Sequence, residues 1–111
     1  MNSGFSQSPG SVDISYSNND SFSENNKLSQ NFGECKYFGI WKVMRFNAIE
    51  GSEILIYNSN TCDNLVARKD LCGSYFHNNF MSAFGGFHGY SIKVVAKKNA
   101  CRYPRKKISC D

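Results

Sequence analysis

Short runs of apolar residues, separated by turn-forming residues, occupy the chain from Cys35 onward, which is typical of β-strands. The densest run, Tyr90–Ala96, is rich in β-branched and aromatic residues and has the length of one buried strand. Gly85, Gly86 and Gly89 come just before it and disfavour a helix there. We therefore predict that Tyr90–Ala96 is the central strand of a β domain.

Four further strands are predicted earlier in the same part of the chain. They cover residues 35–46, 54–57, 65–67 and 72–76, with a turn at residues 50–52. Residues 77–89 are aromatic and glycine-rich, and we expect a loop whose phenylalanines fill the core. Phe80 and Phe84 have the spacing of one helical turn. The whole pattern predicts a mainly all-β fold, namely a small β-sandwich.

The N-terminal part has a different composition. Residues 1–31 are rich in Ser, Asn and Gly, and Phe5, Tyr16 and Phe22 are too sparse to form a core. Such segments remain disordered because they cannot bury enough apolar surface. We predict a disordered tail over residues 1–31 and a single cysteine-containing β domain over residues 32–111.

Positive charge is concentrated towards the C-terminus. The chain has 13 Lys and Arg against 9 Asp and Glu, and only Lys27 among the basic residues precedes residue 35. A basic surface favours acidic partners such as nucleic acid, anionic lipid or cell-wall polyanions. The alternative is a solvated edge that discourages strand pairing. The predicted binding surface comprises Lys97, Lys98, Arg102, Tyr103, Arg105, Lys106 and Lys107.

Five cysteines in 111 residues suggest disulfides and therefore an oxidising compartment. The candidates are Cys35, Cys62, Cys72, Cys101 and Cys110. Residues 1–30 contain no apolar segment of the kind found in secretory signals, and no apolar run is long enough for a membrane helix. We favour an extracellular location over an intracellular one with reduced thiols.

The pairing of these cysteines stays open at this stage. Short loops favour Cys62–Cys72 and Cys101–Cys110, whereas a competing scheme closes a long loop between Cys35 and Cys101. The fifth cysteine is either a free thiol or a link between two chains. The protein is accordingly expected to be a monomer or a disulfide-linked dimer.

His77 and His88 are the only histidines, and a pair of this kind suits general acid–base cleavage of RNA. Arg102 or Arg105 would then contact the phosphate. No carboxylate lies between the two histidines in the chain, so we predict no catalytic residues and a non-enzymatic protein.

A zinc site from Cys62, Cys72, His77 and His88 is conceivable, but its spacing is too loose for a zinc finger. Disulfide formation is the better interpretation of those cysteines. We predict no metal site and no cofactor.

Residues 54–62 (Ile-Leu-Ile-Tyr-Asn-Ser-Asn-Thr-Cys), Cys72, residues 90–95 (Tyr-Ser-Ile-Lys-Val-Val) and Cys101 resemble small secreted cysteine-rich proteins of fungi. The pattern is similar both to βγ-crystallin-like killer-toxin domains and to ToxB-like β-sandwich effectors, and it covers roughly residues 35–110. The calcium motif of βγ-crystallins is not carried over, because residues 78–83 fit it only in part and lie too far from the strand.

The resemblance implies a secreted toxin- or effector-like protein that acts by binding a host or competitor molecule. Two alternatives remain at this point. One is an intracellular basic module that binds nucleic acid, and the other is a small secreted ribonuclease-like enzyme.

Overall fold

Six antiparallel strands form one curled sheet in the computed structural model, which describes residues 10–18, 26–85 and 89–101. The elements are β1 (Ser11–Ser17), β2 (Asn26–Asn31), β3 (Lys36–Gly39), β4 (Val43–Tyr57), β5 (Leu65–His77), α1 (Phe80–Phe84) and β6 (Tyr90–Ala96), followed by a 3-10 helix at Lys98–Cys101. Two disulfides join elements of this sheet. The predicted all-β, disulfide-stapled fold is confirmed.

The long strand β4 organises the sheet. Its first half pairs with β1, its second half pairs with β6, and β5 runs along its other side. The strand order is β2-β1-β4-β6-β3. The predicted strand Tyr90–Ala96 has the predicted bounds, but it lies between β4 and β3, so β4 and not β6 is the strand with most neighbours.

A bend divides β4 at the place where a turn was expected. The pairing with β5 is irregular between Ala48 and Ser52, yet the strand continues through both. A Cβ added to Gly51 would lie 2.6 Å from the carbonyl oxygen of Lys97, so only glycine allows this close approach. The Lys97 N–H donates to the Gly51 carbonyl at 3.0 Å, and this bond fixes the chain after β6 against the bend.

The N-terminal hairpin corrects the predicted boundary at residue 31. Residues 10–18 and 26–31, expected in a disordered tail, contain β1 and β2. Polar and apolar residues alternate along the sequence of β1, and Val12 and Ile14 are fully buried on either side of Asp13. Few apolar side chains are enough here because the rest of the core comes from other strands. Residues 1–9 and 19–25 lie outside the described residues.

One cluster of buried apolar residues forms the core, and every strand except β2 contributes to it. Its buried members are Val12, Ile14, Phe38, Met44, Phe46, Ala48, Ile54, Ile56, Leu71, Phe80, Tyr90, Ile92 and Val94. The helix α1 contributes the completely buried Phe80, and Phe84 packs against the cluster. The segment after β5 therefore fills the core with a phenylalanine, as predicted, but from a one-turn helix.

The observed disulfides are Cys35–Cys62 and Cys72–Cys101, with Cα–Cα distances of 6.0 and 5.2 Å. All three predicted pairings are therefore wrong. Cys62 precedes β5 and Cys72 lies in its second half. An extended strand advances about 3.3 Å per residue, so these two cysteines are too far apart for a bond. Cys110 is the fifth cysteine and lies outside the described residues.

Candidate functional site

The second half of β4, with its neighbours β5 and β6, presents a charged surface on the side away from the core. Ile54 and Ile56 are fully buried, so the alternate residues Glu53 and Leu55 point the other way. Residues that pair directly across antiparallel strands share a face. The register therefore places Asp70 and Val95 beside Glu53, and Arg68 and Lys93 beside Leu55. We call Glu53, Arg68, Asp70, Lys93 and Lys97 the charged face.

Ion pairs connect the members of the charged face. The Lys97 Nζ lies 2.8 Å from the Asp70 Oδ1 and 3.8 Å from the Glu53 Oε2. The Arg68 Nε lies 3.4 Å from the same Glu53 oxygen. The hydrogen bond with Asp70 is the main reason that the pKa of Lys97 is raised, so this ammonium stays charged. The two acids thus hold two cations in defined positions, and Arg68, at 60% exposure, is the more accessible of the two.

Sequence reasoning identified only part of this surface. Of the predicted binding residues, Lys97 lies on the charged face and Lys98 begins the adjoining 3-10 helix. The others, Arg102, Tyr103, Arg105, Lys106 and Lys107, lie outside the described residues. Arg68 and Lys93 were missed because they lie within strands, away from the cations near the C-terminus, and only the register brings them together. The alternation Ser-Ile-Lys-Val around Lys93 was the available signal.

The disulfide Cys72–Cys101 lies at the border of the charged face. Cys72 is exposed and lies two residues after Asp70 on β5, so both point to the same side. Its partner Cys101 ends the 3-10 helix. The point from which the chain continues into the basic C-terminal residues is therefore covalently attached to the strand that carries Arg68 and Asp70.

His77, the first of the two candidate catalytic histidines, is part of an aromatic cluster at the end of β5. Its Nδ1 accepts a hydrogen bond from the Asn79 N–H at 3.0 Å. The ring centroid lies 5.8 Å from that of Phe80 and 5.3 Å from that of Phe84. Partial burial, aided by the positive charge of Lys69, lowers the pKa of His77 and favours the neutral ring. These contacts give His77 a role in seating α1, and His88 lies outside the described residues.

The two cysteines that were considered as zinc ligands are not free to bind a metal ion. Cys62 and Cys72 are each bonded to another cysteine, so neither is available as a thiolate. Among the residues described by the structure, no group of three His, Cys, Asp or Glu side chains is close enough to hold a metal ion. The same residues include no helix long and apolar enough to cross a membrane.

Comparison with protein-family models, with curated proteins and with solved structures finds no match to this chain. The charged face and the two disulfides are therefore the features of the molecule that bear on its function.

Proposed function

We propose that this protein is a secreted, non-enzymatic, toxin- or effector-like domain that binds an anionic macromolecule of a host or competitor. The contact surface is the charged face together with the basic residues that follow Cys101. The resemblance to small secreted fungal proteins is consistent with this function, and so are the two disulfides, because such bonds persist in oxidising compartments.

The observation that carries the proposal is the position of Cys101. Four cations, Arg102, Arg105, Lys106 and Lys107, follow it in the sequence. Its disulfide attaches the start of this segment to Cys72 of β5, the strand that also carries Arg68 and Asp70. A tether increases the effective concentration of one set of charges near the other, so both sets bind one polyanion more tightly than either set alone.

Binding of the oxidised full-length chain to a labelled heparin dodecasaccharide, measured by fluorescence anisotropy across a salt series, tests the proposal. We expect affinity to fall steeply with salt, because bound cations release counterions from the polyanion. Lys93→Met should weaken binding about fivefold, since a cation beside a dense anionic surface contributes about 1 kcal/mol. Lys27→Met is the matched control, because exposed Lys27 lies on β2, outside the charged face.

No binding at low salt, or equal losses in Lys93→Met and Lys27→Met, would refute the proposal. A single-stranded RNA of equal charge that bound at least tenfold more tightly than heparin would instead identify nucleic acid as the target. Alkylation of the protein from its native source tests the compartment. We expect one reactive thiol, that of Cys110, because the other four cysteines form disulfides. Five reactive thiols would show that the disulfides are absent and would exclude secretion into an oxidising compartment. A disulfide-linked dimer remains a prediction, and it would use Cys110.

A further inference from the structure

The two acids of the charged face differ in how accessible they are. The Glu53 side chain is only 15% exposed and its Oε2 lies between Arg68 and Lys97. The Asp70 side chain is 52% exposed, and its ion pair among the described residues is with Lys97, at 2.8 Å. Glu53 is therefore a support beneath the two cations, whereas Asp70 occupies the accessible side of Lys97, where an external anion would bind.

We propose that Asp70 is an internal competitor for Lys97, which an anionic target must displace before the charged face is fully engaged. This inference rests on the proposed function. An exposed ion pair is only marginally stable, so a polyanion that offers many charges can displace the carboxylate. A ligand with a single negative charge gains little from the exchange. Asp70 thereby directs the charged face towards targets of high charge density.

The arrangement on the sheet explains why the competition belongs to Asp70 and not to Glu53. The two acids are direct cross-strand neighbours, so their like charges repel and the more accessible one is the easier to displace. When Asp70 is displaced, Glu53 still lies 3.8 Å from the Lys97 ammonium and keeps it on the face. The target's anion then takes the place of the Asp70 carboxylate, and Glu53 keeps the Lys97 ammonium in position.

Four variants of the full oxidised chain test this with the same heparin dodecasaccharide: Asp70→Asn, Asp13→Asn, Lys97→Met and the double variant Asp70→Asn/Lys97→Met. Asp70→Asn should increase affinity about two- to fivefold, the range expected for one exposed pair. Asp13→Asn changes the net charge equally, but Asp13 lies on β1, beside the other half of β4. Screening over about 10 Å at 0.1 M salt should keep its effect much smaller.

In the Lys97→Met background, Asp70→Asn should give no gain, because the cation for which Asp70 competes is gone. Equal gains from Asp70→Asn and Asp13→Asn would overturn the inference and leave net charge as the explanation. A gain that persisted without Lys97 would also overturn it. Either result leaves the proposed function intact if the unmodified protein binds heparin, whereas failure of that protein to bind refutes the proposed function itself.

Discussion

The two halves of β4 hold their neighbours by different means. The first half binds the β1–β2 hairpin, which contains no cysteine within residues 10–18 and 26–31 and is retained by burial and backbone pairing. The second half lies among β5, β6 and β3, where both disulfides occur. In the hairpin, β1 is buried at five of its seven positions, and its apolar core residues are Val12 and Ile14. We call residues 52–57 of β4, together with their neighbours β5, β6 and β3, the stapled half. It carries the charged face and a polar loop at residues 58–64, and the disulfides Cys35–Cys62 and Cys72–Cys101 cross-link it.

The largest expected effect comes from the hairpin. Ile14→Ala should reduce the free energy of unfolding by about 4 kcal/mol, because it leaves a cavity at a completely buried position. Ser29→Ala, on the exposed side of β2, should change it by less than about 0.5 kcal/mol. Urea denaturation measures both. A small effect of Ile14→Ala would mean that the hairpin is not part of the cooperative unit.

Removal of either disulfide should have the next largest effect. The sequence separations are 27 and 29 residues, so loop closure predicts nearly equal losses of about 3.5 kcal/mol for each pair of Cys→Ser changes. Neither closed loop includes β1 or β2, so hydrogen exchange in the hairpin should change only through the lower global stability. Losses that differ by more than about 1 kcal/mol would show that one disulfide does more than restrict the unfolded chain.

Gln30 links the hairpin to the stapled half through its polar side chain. Its buried Nε2 donates to the carbonyl of Glu34 at 2.7 Å and to that of Ile92, in β6, at 3.1 Å. Gln30→Leu should cost about 2 kcal/mol, because two carbonyls lose a donor. The cost is limited because the Gln30 Oε1 has no hydrogen-bond partner within the described part of the chain, and leucine removes this unsatisfied atom. Chemical denaturation measures the loss, and a stabilised variant would contradict the prediction.

The strands of the stapled half could be predicted because their apolar runs are dense. The predicted bounds of β6 match those observed, and Phe80 enters the core as expected. The hairpin was missed because Ser11–Ser17 has apolar residues only at alternate positions within a Ser- and Asn-rich segment. Period-two alternation was present, but composition suggested disorder. A strand with few apolar residues at alternate positions can still form when neighbouring strands supply the rest of the core.

The cysteine pairing and the charged face depend on contacts between distant parts of the chain. Nearness in sequence favoured Cys62–Cys72, yet an intervening length of strand keeps these residues apart. Lys97 and Lys98 were found because they lie close to other cations in the sequence. Arg68 and Glu53 join them only through the antiparallel register of β4 with β5, which the spacing of residues did not indicate.

The smallest expected effect is a dependence on pH that arises at the end of β5, where His77 pairs with Met44 in the first half of β4. The pKa of His77 is lowered in the folded protein, so the unfolded chain binds a proton more readily. Stability should therefore be complete above pH 6.5 and decrease as pH falls from there through the folded pKa. Protonation also removes the Nδ1 acceptor used by the Asn79 N–H, which weakens the attachment of α1. Denaturation midpoints across this range, compared with His77→Gln, measure the effect. An unchanged pH dependence in His77→Gln would assign it to another group.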